Sequence, residues 1–140
     1  MWRRALGAGV ALALATGVAG AAGAGEKPQG DYRTQITRGP AQLKGTWHLT
    51  FGPKGAYSVF RGTPTPTHRV VGGTLTYSGR RITMTDLRGP LACAGEQAVG
   101  VYRFAIPTAT TLRLTKVDDA CAGRPLILAG HVFTKVPAGN

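Results

Sequence analysis

The chain is poor in acid and in the side chains that usually carry catalysis. Six Asp and Glu stand against 17 Lys and Arg, with three histidines and two cysteines in 140 residues. Two cysteines exclude a disulfide-dense miniprotein and a four-cysteine zinc ribbon. Asn occurs only at Asn140, so no Asn-X-Ser/Thr glycosylation site exists. Ser58 and Ser78 are the only serines, and neither lies in a Gly-x-Ser-x-Gly elbow. His48, His68 and His131 are far apart and show no His-x-His spacing. His131, mid-strand in a run expected at 126–136, could face an interior as a haem ligand, but a surface or hydrogen-bonded role suits it better. Asp118 and Asp119 are adjacent, so in a strand they point to opposite faces and suit a turn better than paired acid–base work. Beyond residue 25 no glycine loop of the phosphate-cradling kind is present. The sequence therefore supports no enzymatic activity, no metal site and no cofactor.

What is abundant is apolar and β-prone. Hydrophobic residues make up 43% and charged residues 16%, the balance of one packed domain rather than a disordered chain. The first 24 residues differ from the rest. Arg3-Arg4 opens a short positive start, residues 5–25 carry no charge, and Ala19-Gly20-Ala21 and Ala22-Gly23-Ala24 offer small-x-small cleavage sites. Glycines among few large apolar residues weaken this stretch as a retained membrane helix. The expectation is a signal peptide over residues 1–24, cleaved near Ala24, and a secreted, extracellular protein. A membrane anchor is the less favoured alternative. Removing these residues takes two arginines and no acid from a net charge of +11, leaving +9. The cations are dispersed, with no basic run interleaved by aromatics, so no specific nucleic acid is expected. Anionic cell-envelope polymers remain partners by charge alone.

Short β-prone runs then alternate with Gly/Pro punctuation. Residues 45–51, Gly-Thr-Trp-His-Leu-Thr-Phe, alternate strictly, with Trp47, Leu49 and Phe51 on one face. Further strands are expected at 56–61, 69–77, 81–87, 98–106, 111–118 and 126–136. Residues 32–37 would give an eighth, and a helical turn fits 40–44. Ser78-Gly79-Arg80 and Pro107-Thr108-Ala109 are hairpin signals. No segment after residue 25 shows sustained helical periodicity. Gly72, Gly73, Gly100 and Gly130, expected within strands, suit bends or bulges. The pattern predicts an all-β fold: a single antiparallel meander β-barrel of seven to eight strands over residues 32–137, after a flexible lead-in at 25–31. A β-sandwich is the alternative.

Three stretches carry a resemblance: Leu43-x-Gly45-Thr46-Trp47-x-Leu49-Thr50-Phe51, Gly100-x-Tyr102, and Leu112-x-Leu114-x-x-Val117-Asp118-Asp119-x-Cys121-x-x-Arg124. Gly45-Thr46-Trp47 resembles the Gly-x-Trp opening of lipocalins and the wider calycin superfamily. The whole is similar to small lipocalin-like proteins secreted by actinobacteria. The resemblance implies a barrel with Trp47 plugging one end. Lipocalins also stack an arginine on this tryptophan from after the last strand, whereas Arg124 precedes it here. The fold carries over better than ligand binding does.

Cys93 and Cys121 lie in loops flanking one hairpin. In an exported chain a disulfide between them is expected, worth roughly 3–4 kcal/mol by loop closure. Trp47, Tyr57, Tyr77, Met84, Tyr102 and Phe104 are the candidates for an interior face and for ligand contact. A barrel of this size is either just filled by side chains or holds one small molecule. Two functions stand. One is a monomeric carrier or sequestering barrel for a small hydrophobic or amphipathic molecule. The other is a protein-binding barrel that inhibits through an N-terminal extension, for which residues 26–44 decide: projecting for an inhibitor, folded across the barrel for a carrier. Intact mass and N-terminal sequencing of protein from the culture medium should find a chain beginning near Ala22 or Gly25 without lipid. A full-length, membrane-retained species contradicts the export reading.

Overall fold

Alternating apolar residues on short strands, each reversed by a glycine-bearing turn, can hide their inner faces only by curling on themselves. The computed structural model, which describes residues 26–138, shows that outcome: eight antiparallel strands in sequence order, closed into one barrel. The strands are β1 (Gly30–Ile36), β2 (Gly45–Phe51), β3 (Ala56–Arg61), β4 (Arg69–Ser78), β5 (Arg81–Arg88), β6 (Val99–Ala105), β7 (Thr111–Asp119) and β8 (Val132–Lys135). The barrel closes where β1 meets β8, through Tyr32 opposite Lys135 and Arg33 opposite Thr134. A closed eight-strand antiparallel meander is consistent with a calycin-like barrel, and the sandwich alternative is overturned. The expected signal segment lies outside the described residues.

The inner face follows the period of two. Trp47, Leu49 and Phe51 are all buried, as the alternation of β2 requires. Arg103, between Tyr102 and Phe104, is exposed. One half of the interior is solid: Leu49, Ile82, Met84, Phe104, Leu112 and Phe133 are each at most 2% exposed. Edge-to-face pairs of Tyr32 with Phe51 and Tyr77 with Phe104 tighten that half.

One expectation needs correction. Beyond a helical turn at 40–44 the sequence shows no sustained helical periodicity, and it predicts a last strand at 126–136. The structure instead forms a short helix, α1 (Gly123–Leu128), before a four-residue β8. The run Leu126-Ile127-Leu128 reads as a strand, but Pro125 sits in the first helical turn, where its missing N–H costs nothing. Gly130, with φ +80°, then turns the chain out of the helix, so it lies outside any strand. Arg124, Ile127 and Leu128, at i, i+3 and i+4, share the buried face. At the N-terminal side, the first strand starts two residues before the expected position 32. Strand β1 begins at Gly30, Pro28 is fully buried, and Lys27 lies over the Tyr77 ring.

The bends fall where glycine permits them. Pairing of β4 with β5 shifts register between Gly72 and Gly73. A Cβ at Gly73 would lie 2.1 Å from the Thr85 carbonyl oxygen and 2.8 Å from the Tyr57 ring. Tyr57 packs in the space a side chain would take. Gly73→Ala should therefore lower stability by about 1–3 kcal/mol through overpacking, read as a lower urea midpoint with an unchanged slope.

Candidate functional site

At the barrel end opposite the solid half, α1 and the two cysteine loops gather around one side chain. Arg124 projects inward from α1 and is 7% exposed. A guanidinium has five N–H donors, and a buried one must satisfy them. Nε donates to Asp119 Oδ2 at 2.7 Å and Nη2 to Asp119 Oδ1 at 2.8 Å. Nη2 also donates to the Gln97 carbonyl and Nη1 to the Ala98 carbonyl, each at 2.8 Å. Nη1 lies 3.1 Å from Asp86 Oδ1.

The two carboxylates are held in parallel ways. Asp86 accepts from the Tyr57 hydroxyl and from the Cys93 backbone N–H at 2.9 Å. Asp119 accepts from the Tyr102 hydroxyl and from the Cys121 backbone N–H at 3.0 Å. Cys93 and Cys121 form the expected disulfide, with Cα atoms 6.2 Å apart. One guanidinium thus ties two strands, two tyrosines and both ends of the disulfide into one buried cluster. Gly100 makes room for it: a Cβ there would lie 2.6 Å from Asp119 Oδ2 and 2.9 Å from Arg124 Nε.

The electrostatics follow. Burial alone pushes the Asp119 carboxyl up, but hydrogen bonds from Arg124, Tyr102 and the Cys121 N–H, with the Arg124 charge, hold it below the usual carboxylate range. Burial and the hydrogen bond to Asp86 push the Tyr57 hydroxyl far above its ordinary value, and burial with Asp119 does the same to Tyr102. Burial opposes the charge on Arg124, yet the bonds to Asp119 and the field of Asp86 leave it more firmly protonated than usual. Both tyrosines stay neutral donors.

Beside this cluster lies a cavity of about 370 Å³. Its walls come from Leu43, Trp47, Val59, Val71 and Ile127, with the disulfide and the Asp86–Arg124 pair at one side. Trp47 donates its indole N–H to the Leu43 carbonyl at 2.7 Å, which fixes the ring across the barrel end. The Arg61 guanidinium lies over that ring, 5.5 Å from its centroid, taking the stacking position that Arg124 leaves vacant. Arg61 and Gln42 also line the cavity, and both are exposed at its mouth.

Of the six expected contact residues, the structure brings only Trp47 and Tyr57 to this cavity. Tyr77 lines a separate hollow at the opposite end, beside Lys27 and Phe51, where burial and then Tyr32 push its hydroxyl up to about 12. Met84, Tyr102 and Phe104 are packed in the core and line neither space. Asp118 is exposed, whereas Asp119 caps the turn towards Cys121 and grips Arg124. His131 contacts the Leu126 carbonyl at 2.9 Å, outside the barrel. His48 is buried on the outer face, its Nδ1 3.0 Å from Asp31 Oδ2. No family model, characterised protein or solved structure matches the chain.

Asp86 was missed although its signal was present: Ile82, Met84 and Asp86 share one face by the period of two, and an inward carboxylate needs a cation. Removing that cation tests the cluster. Arg124→Met should cost about 3–5 kcal/mol near neutral pH, because two buried carboxylates lose their partner. Asp119 has a depressed folded value, so its contribution is present above about pH 4 and is lost as pH falls through that lower value. The gap between the native and variant urea midpoints should therefore narrow at about pH 3. A gap independent of pH contradicts the assignment.

Proposed function

We propose that the chain is a secreted, non-enzymatic binding barrel of lipocalin-like type, which holds one small amphipathic molecule at the Trp47 end. The observation that carries this reading is the cavity of about 370 Å³, within the size range of small-ligand sites and walled mainly by apolar side chains. The apolar body of a ligand would lie against Trp47, Val59, Val71 and Ile127. Its polar group would meet Gln42 or Arg61 at the mouth, because Tyr57, Asp86 and Arg124 already spend their hydrogen bonds on one another.

Two further features support the reading. A disulfide at the cavity wall suits an oxidising compartment, and no helix among the described residues is long and apolar enough to cross a membrane. Residues 26–44 supply β1 and a turn of 3-10 helix at Ala41–Leu43, whose Leu43 lines the cavity. A chain folded into the barrel in this way favours a carrier over an inhibitor with a projecting arm.

Native mass spectrometry of protein purified from its own host, followed by a thermal-shift panel of lipids and small metabolites, tests the proposal. A bound ligand at a hundredfold excess over its Kd should stabilise the fold by about 2.7 kcal/mol. Val59→Trp, which places an indole in the cavity, should abolish that shift, and Arg80→Ala at the far end should preserve it. No copurified ligand and no stabilisation by the panel favour the protein-binding alternative.

A further inference from the structure

Among the described residues, five of the six large exposed apolar side chains gather at one end of the barrel, while Val132, 42% exposed, lies apart on β8 opposite Arg113. Leu87, Leu91, Val99, Val117 and Leu126 are 59%, 48%, 46%, 39% and 53% exposed. All five lie at the cavity end: on the last turn of β5, the first residue of β6, the late part of β7, the 89–94 loop and α1. Leu91 and Leu126 also form part of the cavity rim. The turns at the opposite end are built from Gly52-Pro53-Lys54-Gly55, Ser78-Gly79-Arg80 and Pro107-Thr108-Ala109-Thr110, with no large exposed apolar residue among those described.

Charge at the cavity end is cationic on balance. Arg38, Lys44, Arg61 and Arg88 are exposed there, and Arg69 is half-buried beside them. Four carboxylates occur at this end, but Arg124 consumes Asp86 and Asp119 internally, leaving only Glu96 and Asp118 to solvent. Cations alone would suit any polyanion, and both ends of the barrel carry them. Five of the six exposed apolar side chains cluster at the cavity end, and they suit a surface with an acyl layer beneath its phosphates.

We propose that the cavity end of the barrel docks on an anionic lipid bilayer, with Leu87, Leu91, Val99 and Leu126 entering the headgroup boundary and Arg61, Arg69 and Arg88 meeting the phosphates. This goes beyond the carrier reading, since docking does not require an occupied cavity. It also turns the cavity mouth towards the acyl layer, so an amphipathic molecule reaches the cavity without crossing water.

Co-sedimentation of the exported protein with vesicles of equimolar phosphatidylglycerol and phosphatidylcholine tests it. Binding is expected to these vesicles and to be much weaker to pure phosphatidylcholine. Leu87→Ser/Val99→Ser, which replaces no residue lining the cavity, should lower the partition coefficient roughly tenfold with an unchanged thermal midpoint. Arg61→Ser/Arg88→Ser should lower it most at low salt, the gap to the native protein closing as salt is raised, and Arg80→Ser/Arg81→Ser at the far end should leave it near the native value. Three results overturn the proposal: no binding to the anionic vesicles, equal loss from Arg80→Ser/Arg81→Ser, or binding displaced by soluble polyphosphate and unaffected by Leu87→Ser/Val99→Ser. Because Leu87 and Val99 lie outside the cavity, the ligand-induced thermal shift of that variant reports separately on the carrier reading.

Discussion

A single buried guanidinium organises one end of this barrel. Arg124 reaches in from α1 and meets carboxylates from β5 and β7, which in turn hold a tyrosine from β3, a tyrosine from β6 and the backbone of both cysteines. Neither carboxylate could be buried alone, and the cation could not be buried without them. The disulfide fixes the two loops that the carboxylates grip through the backbone N–H groups of Cys93 and Cys121, so covalent and polar ties converge on the same two residues. The short helix has little stability of its own at six residues, and this anchorage with Ile127 and Leu128 is what keeps it in place.

The cluster also explains why space is left open inside its own end of the barrel. In the lower half, Leu49, Ile82, Met84 and Phe133 interdigitate without polar atoms. In the upper half, Asp86, Asp119 and Arg124 must keep hydrogen-bonding distances, and their geometry prevents the apolar side chains around them from collapsing inward. Trp47 is tied to Leu43 and lies beneath Arg61, so it too is fixed in position. The space left between these fixed groups is the cavity.

Much of this could be read from residue order, for identifiable reasons. The alternation in β2, the glycine turns and the two cysteines are local signals, and each led to the right element. The contact set was only partly legible. Alternation tells which face Met84, Tyr102 and Phe104 occupy, but not their height along the barrel, which decides between core and cavity wall. Asp119 was hidden for another reason. Pairing of β6 with β7 shifts between Val101 and Tyr102, so counting by twos fails before that residue is reached. The helix was masked by an apolar run whose strand-like composition outweighed Pro125, Gly130 and the i, i+3, i+4 spacing of Arg124, Ile127 and Leu128.

The seam between β1 and β8 bears on how the barrel assembles. Each of the other seven pairings joins neighbours in the chain and can form as a hairpin or a short-looped pair. The seam joins Tyr32 to Lys135 and Arg33 to Thr134, across nearly the whole described chain, and gains only two residue pairs for closing it. Loop-closure entropy is largest there and the local reward smallest. A curved eight-strand ribbon is therefore the natural precursor, with closure as its last and most reversible step. Since Val136 donates to the Asp31 carbonyl beside that seam, the two ends of the domain finish next to each other. A short linker between them would convert the slowest long-range search into a local one, and a circularly permuted chain opened at a polar hairpin turn would fold from a different first strand into the same barrel.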